Sequence, residues 1–395
     1  MNEFRVPPVI LYGRGSLSQA GDQAASLGRR ALIISDRVME KLGYVKRCEQ
    51  LLDQAGVSSV SYPDVNSETT DQHVAEALEI LQQEKCDLLV AIGGGSCLDA
   101  AKAVSIVAKN GGYIRDYMGG KRAIIHPPVP MIAIPTTAGT GSEVTSAVVV
   151  TNTTNDVKMM IKHPAFIPKV AIVDPVLTVS SPPHVTAATG IDALCHAVEA
   201  YLSRRAQPVT DSLALSSIRL IGRNIRTAYK NGSDLEAREH MAIAAMQAGM
   251  AFSNASVCLV HGMSRPIGAV FHVPHGISNA MLLPAVLEFS KEACIERLAA
   301  IGRVYCDDLK ALADERAADE FVSMIKQLCL DLNIPNMKEQ GIDRAKLEQV
   351  VDKMAADALE SGSPAMNPRI PTHAEIVELY RVCYDYNFQS IGNYE

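Results

Sequence analysis

The run Asp87-Leu-Leu-Val-Ala-Ile-Gly93-Gly94-Gly95-Ser96-Cys97-Leu98-Asp99-Ala100-Ala101-Lys102 decides the fold. A near-continuous apolar stretch leads straight into three glycines, and the residues beyond carry apolar side chains at helical spacing. A strand buried on both faces, a glycine turn and a helix N-terminus therefore follow one another. Outward from this point, similar apolar runs occupy Arg30–Ser35, Pro130–Ile134, Ser146–Thr151 and Lys169–Val173, while helical spacing marks Asp71–Gln83 and Leu98–Lys109. Strand and helix alternating at this rhythm predict a parallel sheet with helices on its faces.

From Pro182 onward no comparable β-branched run occurs. Ile191–Leu202, Thr210–Tyr229, Leu235–Phe252 and Ile295–Leu309 are instead rich in Ala, Leu, Met and Glu, as helices are. The 395 residues suit about two domains of ordinary size. Two proline punctuations, Asp174-Pro175 and Ser181-Pro182-Pro183, bracket a short link between them. The expectation is an α/β, Rossmann-like, dinucleotide-binding domain over residues 1–180 and an all-α, metal-binding domain over residues 181–395.

With 48% hydrophobic and 21% charged residues the chain has ample material for sizeable cores. A net charge of -7 and the absence of any Lys/Arg-rich run exclude nucleic acid and anionic membranes as partners. No apolar stretch approaches the roughly 18–20 residues that cross a bilayer. The N-terminus lacks a basic segment followed by an apolar one, so no secretory signal is expected. Nine cysteines with no C-x-x-C pair read as thiols in a reducing compartment. A soluble cytoplasmic protein is expected.

Glycines let a diphosphate approach the backbone of Gly93–Ser96, and the helix beyond offers unpaired N–H groups and a favourable dipole. A tight turn with no ligand is the plainer alternative. Asp36 follows the strand Ala31–Ser35, where a carboxylate either bonds the ribose hydroxyls of a dinucleotide or caps a helix. Pro135-Thr136-Thr137-Ala138-Gly139-Thr140-Gly141-Ser142-Glu143, after the strand Met131–Ile134, is a second loop able to bond phosphate or carboxamide groups.

Asp192 and His196 stand four residues apart, so one helical face presents both. Alone they are equally an i,i+4 pair worth about 0.2–0.5 kcal/mol. Further on, three of the ten histidines, His261, His272 and His275, fall within fifteen residues, and His261 and His275 each precede a glycine that relaxes the backbone beside a ligand. One carboxylate and several imidazoles suit Fe²⁺, Zn²⁺ or Mn²⁺.

These residues carry a resemblance. Gly93-Gly94-Gly95-Ser96-x-x-Asp99-x-x-Lys102, Pro135 to Glu143, Gly190-x-Asp192-Ala193-x-x-His196-x-x-Glu199 and Pro274-His275-Gly276 resemble, in order and spacing, the motifs of the iron-containing (group III) alcohol dehydrogenase family. The resemblance covers nearly the whole chain. It implies an active site in an inter-domain cleft, with Asp192, His196, His261 and His275 as metal ligands. It also implies NAD contacts from Asp36, Asn66, Gly93, Gly94, Gly95, Ser96, Cys97, Leu98, Asp99, Thr136, Thr137, Ala138, Gly139, Thr140, Val149 and Lys158. One departure stands out: where relatives that oxidise simple alcohols commonly read His-Gly-x-x-His, this chain reads His261-Gly262-Met263-Ser264-Arg265.

The expected activity is reversible hydride transfer between NAD(H) and a short alcohol or aldehyde. Fe²⁺, or Zn²⁺ or Mn²⁺ in its place, would act as Lewis acid. His272 is a candidate for proton exchange with solvent. Arg265, one helical turn after His261, is a candidate to hold an anionic substrate tail, as in sulfoacetaldehyde or succinate semialdehyde; alternatively it pairs with a nearby carboxylate or is turned away by Pro266. A simple primary alcohol dehydrogenase acting on ethanol, propanediol or butanol is the nearest alternative. A lyase resembling dehydroquinate synthase and a non-catalytic protein retaining the fold are more distant ones. A homo-oligomer, dimer or larger, is expected.

Overall fold

The computed structural model describes residues 2–66, 68–154 and 157–389. The chain divides into two units, Arg5–Ser181, and Met1–Phe4 together with Pro182–Glu395. The first unit runs β1 (Val9–Tyr12), α1 (Ala20–Leu27), β2 (Arg30–Ile34), α2 (Arg37–Lys41), α3 (Tyr44–Gln54), β3 (Ser58–Tyr62), α4 (Asp71–Gln83), β4 (Leu88–Gly93), α5 (Gly95–Asn110), β5 (Met131–Pro135), β6 (Ala147–Asn152), β7 (Val157–Lys162) and β8 (Val170–Val173).

Six of these strands form a parallel sheet in the order β1-β8-β5-β4-β2-β3. The side-chain period of two sends Leu32, Ile34, Leu89, Ala91 and Met131 to one face, where α4 and α5 cover them. Ala31, Ile33, Leu88, Val90 and Ile132 go to the other, under α1 and α3. Burial on both faces is why these strands read as unbroken apolar runs. The sheet is Rossmann-like, and α5 starts directly at the carboxyl end of β4.

One expected strand lies elsewhere. Ala147–Asn152 does not join the parallel sheet but pairs antiparallel with β7, Val149 opposite Met160. Only alternate residues of β6, Val148, Val150 and Asn152, are buried, and Val149 faces out. Three consecutive valines hide a period of two, because the outward residue is as apolar as its neighbours. The hairpin's inner face packs on the α4–α5 side of the core.

The second unit is helical: α6 (Pro183–Leu202), α7 (Pro208–Lys230), α8 (Leu235–Asn254), α9 (Leu259–Phe271), α10 (His275–Ser290), α11 (Ile295–Tyr305), α12 (Asp314–Asp331), α13 (Arg344–Glu360) and α14 (His373–Tyr384). α6 begins earlier than its apolar periodicity suggests, because Pro183 sits at a first-turn position where its missing N–H does no harm. The segment expected as one helix over Ile295–Leu309 breaks at Cys306, which is extended, and Leu309 reaches the core from a short 3₁₀ turn. Every residue of α6 from Gly190 to Leu202 is buried. The polar residues within that stretch therefore need partners inside the protein. No single helix among the described residues is long and apolar enough to cross a membrane.

Candidate metal and cofactor sites

Asp192, His196 and Glu199 lie on the buried stretch of α6, His261 and Arg265 on α9, and His275 opens α10. The fold brings Asp192, His261 and His275 together, each offering one ligand atom within 4.8 Å of the others. Asp192 Oδ1 stands 3.6 Å from His261 Nε2 and 3.9 Å from His275 Nε2. Metal bonds of about 2.0–2.2 Å hold the ligands of one ion roughly 3.4 Å apart, so small adjustments suffice for a shared ion. His196 is adjacent but outside this group. Its Nδ1 lies 3.9 Å from the other Asp192 oxygen, and its ring is stacked between Phe252 and His261 at centroid distances of 4.2 and 4.5 Å.

Two residues with no role assigned from the sequence complete this layer. Glu199 Oε2 accepts the Nδ1–H of His261 at 2.5 Å, and its Oε1 accepts the Val260 N–H at 2.6 Å. Asn279 Nδ2 donates to Asp192 Oδ1 at 2.7 Å and lies 3.2 Å from Nε2 of both His261 and His275. An amide nitrogen has two hydrogens for these three acceptors, and the buried Asn279 Oδ1 has no partner of its own. Such a surplus of converging lone pairs is what a cation satisfies, so the residues present fit a divalent ion. Helical spacing could have flagged both: Glu199 lies seven residues after Asp192, and Asn279 four after His275.

The electrostatics agree with ligation. Burial alone would raise the Asp192 carboxyl, but His196, His261 and His275 hold it well below the usual carboxylate range. Burial lowers the proton affinity of His275 against the pull of Asp192, and the neighbouring imidazoles and Arg265 lower it further, so the ring stays neutral. For His261 burial is outweighed by Glu199 and Asp192, which raise it.

The glycines after His261 and His275 serve a different end from the one expected. Both lie inside helices without positive φ. A Cβ on Gly276 would stand 2.4 Å from the Ala188 carbonyl oxygen, and one on Gly262 2.8 Å from Pro364. Space for close packing, and not backbone freedom, requires glycine there.

Arg265 does not turn away at Pro266, since α9 continues through that proline. The half-buried guanidinium donates to Ser363 Oγ at 3.0 Å and makes no ion pair with a described carboxylate. Burial lowers its proton affinity below the ordinary value, partly offset by Glu199. His272 caps α9 in left-handed conformation, φ 55°, with its side chain exposed.

In the α/β unit most of the proposed cofactor residues gather at the carboxyl ends of β2, β4 and β5, the edge where such sheets hold ligands, while Asn66 follows β3 and Val149 and Lys158 lie on the β6–β7 hairpin. The three glycines have separate reasons. A Cβ on Gly93, φ 156°, would meet Cys97 Sγ at 2.5 Å, and one on Gly95 would meet Thr140 at 2.8 Å. Only Gly94 opens on space, with Thr137 no nearer than 3.9 Å. Gly94 also begins α5 with no side-chain cap, leaving first-turn N–H groups for a phosphate. The cradle thus fits a dinucleotide diphosphate.

Several neighbours brace this cradle. Thr136 N–H bonds Gly93 O, and Thr69 Oγ1 bonds Ser96 O. Ala138 and Gly139 continue the loop between Thr137 and Thr140. Asp99 accepts Ser142 Oγ at 2.6 Å and Val149 N–H at 2.8 Å, so its oxygens hold the loop and hairpin. Cys97 and Leu98 are core residues whose N–H groups bond Gly94 O. The Lys158 ammonium pairs with Glu68 at 2.7 Å, and Asn66 Oδ1 accepts the Arg37 N–H at 3.3 Å. Asp36 caps α2, its Oδ1 accepting the N–H groups of Val38 and Met39.

A Rossmann-like unit with a glycine turn, followed by a helical unit that assembles an Asp/His cluster, defines the class. Two family models match, Iron-containing alcohol dehydrogenase over residues 7–175 and Fe-containing alcohol dehydrogenase family, C-terminal, over residues 186–384. NAD-dependent methanol dehydrogenase of Bacillus methanolicus is 38% identical over 383 residues, covering 96% of this chain and 99% of that protein. The crystal structure of 1,3-propanediol oxidoreductase superposes with a TM-score of 0.93 at 38% identity, covering 97% of this chain and 100% of that one. Sulfoacetaldehyde reductase from Bifidobacterium kashiwanohense, solved with NAD⁺, superposes with a TM-score of 0.88 at 27% identity, covering 98% and 100%. The chain belongs to the iron-containing alcohol dehydrogenase family, a family of oxidoreductases. Membership sets aside the lyase-like alternative.

Proposed function

We propose that this protein is an NAD-linked, metal-dependent alcohol dehydrogenase working as an aldehyde reductase on a short aldehyde with an anionic tail. Sulfoacetaldehyde and succinate semialdehyde are the leading substrates. The observation that carries this reading is Arg265, a half-buried guanidinium one turn from His261, hydrogen-bonded to Ser363 and ion-paired with no described carboxylate. Its remaining donors form a planar fork suited to sulfonate or carboxylate.

Asp192, His261 and His275, joined by His196, would hold the ion, with Fe²⁺ favoured and Zn²⁺ or Mn²⁺ compatible with the donors. Gly94, Thr137 and Thr140 would receive the NAD diphosphate, with Asp36 beside them. When bound, NADH would supply the hydride, leaving as NAD⁺, and the divalent ion would polarise the carbonyl. Arg265 binds and orients the anionic tail. His272, exposed three residues before His275, exchanges the proton with solvent. His272→Asn, which suits the left-handed backbone, should flatten the pH dependence of turnover, and an unchanged profile removes that role. The nine free thiols support a reducing, cytoplasmic setting. A dimer or larger oligomer is part of the reading, checked by light scattering.

The deciding experiment compares kcat/KM for anionic and neutral aldehydes of equal length, with NADH, in the unmodified protein and in Arg265→Gln. A charge-assisted contact of about 1.5–3 kcal/mol corresponds to roughly ten- to hundredfold, lost for the anionic aldehyde alone. If neutral aldehydes are already preferred, the simple-alcohol reading replaces this one. That reading draws support from the methanol and propanediol relatives.

A further inference from the structure

Among the buried polar residues of α6, Glu199 has not been given a role in the function proposed above, although its carboxylate is nearly as enclosed as that of Asp192. A buried carboxylate is costly unless its oxygens are satisfied. Both are: one takes the Nδ1–H of His261 at 2.5 Å, the other the Val260 N–H at 2.6 Å. Val260 lies in the first turn of α9, whose starting residue Cys258 supplies no side-chain cap. Glu199 therefore fixes two things at once, where α9 begins and which nitrogen of His261 carries the proton.

With Nδ1 protonated, the lone pair of His261 sits on Nε2, the atom 3.6 Å from Asp192 Oδ1. Asp192 and Glu199 share one rigid helix, seven residues apart, so α6 presents a ligand and the group that aims another ligand. We propose that Glu199 is a positioning residue of the metal centre, holding His261 in the tautomer and orientation that direct Nε2 at the ion and thereby setting metal affinity. This rests on the ligand reading above.

The chemistry explains why a carboxylate is needed. Gln at this position has one acceptor oxygen for two donors, so either His261 or Val260 loses its partner. Asp keeps two acceptors but ends one carbon–carbon bond, about 1.5 Å, short. A residue that merely caps α9 would change stability without changing the ion's surroundings. A residue that aims a ligand changes both affinity and ligand field.

The test is Zn²⁺ affinity by chelator competition and the visible spectrum of the Co²⁺-loaded protein, in the unmodified chain, Glu199→Gln, Glu199→Asp and His261→Ala. Thermal melting followed by the helical circular dichroism signal serves as the control for folding of the helical unit, and NAD⁺ affinity as that for the Arg5–Ser181 unit. Glu199→Gln is expected to weaken Zn²⁺ binding about ten- to hundredfold and shift the Co²⁺ bands, with NAD⁺ affinity unchanged. Should Glu199→Gln fail to fold, Glu199→Asp decides, with a smaller shift in the same direction. Unmodified Zn²⁺ affinity and Co²⁺ spectrum in the folded Glu199 variants, while His261→Ala loses metal, overturns the proposal. Full metal retention by His261→Ala overturns the ligand reading instead.

Discussion

The Asp36 carboxylate divides between two tasks, Oδ1 capping α2 and Oδ2 lying 3.6 Å from Cys97 Sγ beside the glycine turn. The sequence offered ribose binding and helix capping as alternatives, and the geometry makes the cap certain while leaving one oxygen turned toward Gly93. Replacing Asp36 with Gly would confuse the two tasks. Asp36→Asn separates them, because Asn caps as well as Asp but carries no charge to repel a 2′-phosphate. This variant should melt like the unmodified protein and lower the NADH over NADPH preference in kcat/KM about tenfold, the equivalent of about 1.4 kcal/mol. Asp36→Ala should in addition lose about 1 kcal/mol of stability. An unchanged preference in Asp36→Asn shows that cofactor choice lies elsewhere. Residue identities announced the Asp192, His261 and His275 cluster because a carboxylate and clustered histidines are rare inside an apolar helix pattern. Residue type alone did not announce Glu199 or Asn279; only their helical spacing from Asp192 and His275 pointed to them, and their bonds to His261 and Asp192 span 62 and 87 positions along the chain.

At the scale of elements, the start of α10 shows how packing positions His275, a proposed ligand. Gly276 lets the first turn of α10 rest on the Ala188 carbonyl of α6, and His275 immediately precedes it. Gly276→Ala places a methyl 2.4 Å from that oxygen, so one helix must move. Overpacking of this kind costs about 1–3 kcal/mol. The displaced turn should also carry His275 out of line with Asp192 and His261. Thermal melts and metal content per chain check this together; unmodified values for both show that α10 yields without moving His275. Long elements with clear periods, such as Asp71–Gln83, were legible in the sequence to the residue. The β6–β7 hairpin was not, since a valine run conceals alternation. Nor were the sheet-edge strands β1 and β3, which lack the both-sided burial that marks the central strands.

At the scale of the molecule, the α/β core contains charges that tie its stability to pH. Lys102, fully buried, donates to Thr145 Oγ1 at 3.0 Å and Ala147 O at 2.9 Å, linking α5 to the hairpin. Glu143 is buried nearby, and burial raises its carboxyl from 4.5 to about 7, with Lys102 pulling the other way. Burial lowers Lys102 from 10.5 to about 8, against the pull of Asp99 and Glu143. Between pH 4.5 and about 7 folded Glu143 holds a proton that the unfolded chain has released, so its contribution to stability falls as pH rises through that window. Between about pH 8 and 10.5 the unfolded chain holds a proton that folded Lys102 lacks, so stability rises with pH there. The two penalties overlap between pH 7 and 8. Glu143→Gln keeps the shape and removes one of them. The stability of the variant minus that of the unmodified protein should therefore grow from pH 4.5 to about 7 and level off above, by a total on the order of 3 kcal/mol, and the difference in Tm should rise with it. Melts at pH 5, 6, 7 and 8 measure the slope. A difference that stays flat across these values means that Lys102 and the loop amides stabilise the ionised carboxylate fully, and that Glu143 is charged in the fold at neutral pH.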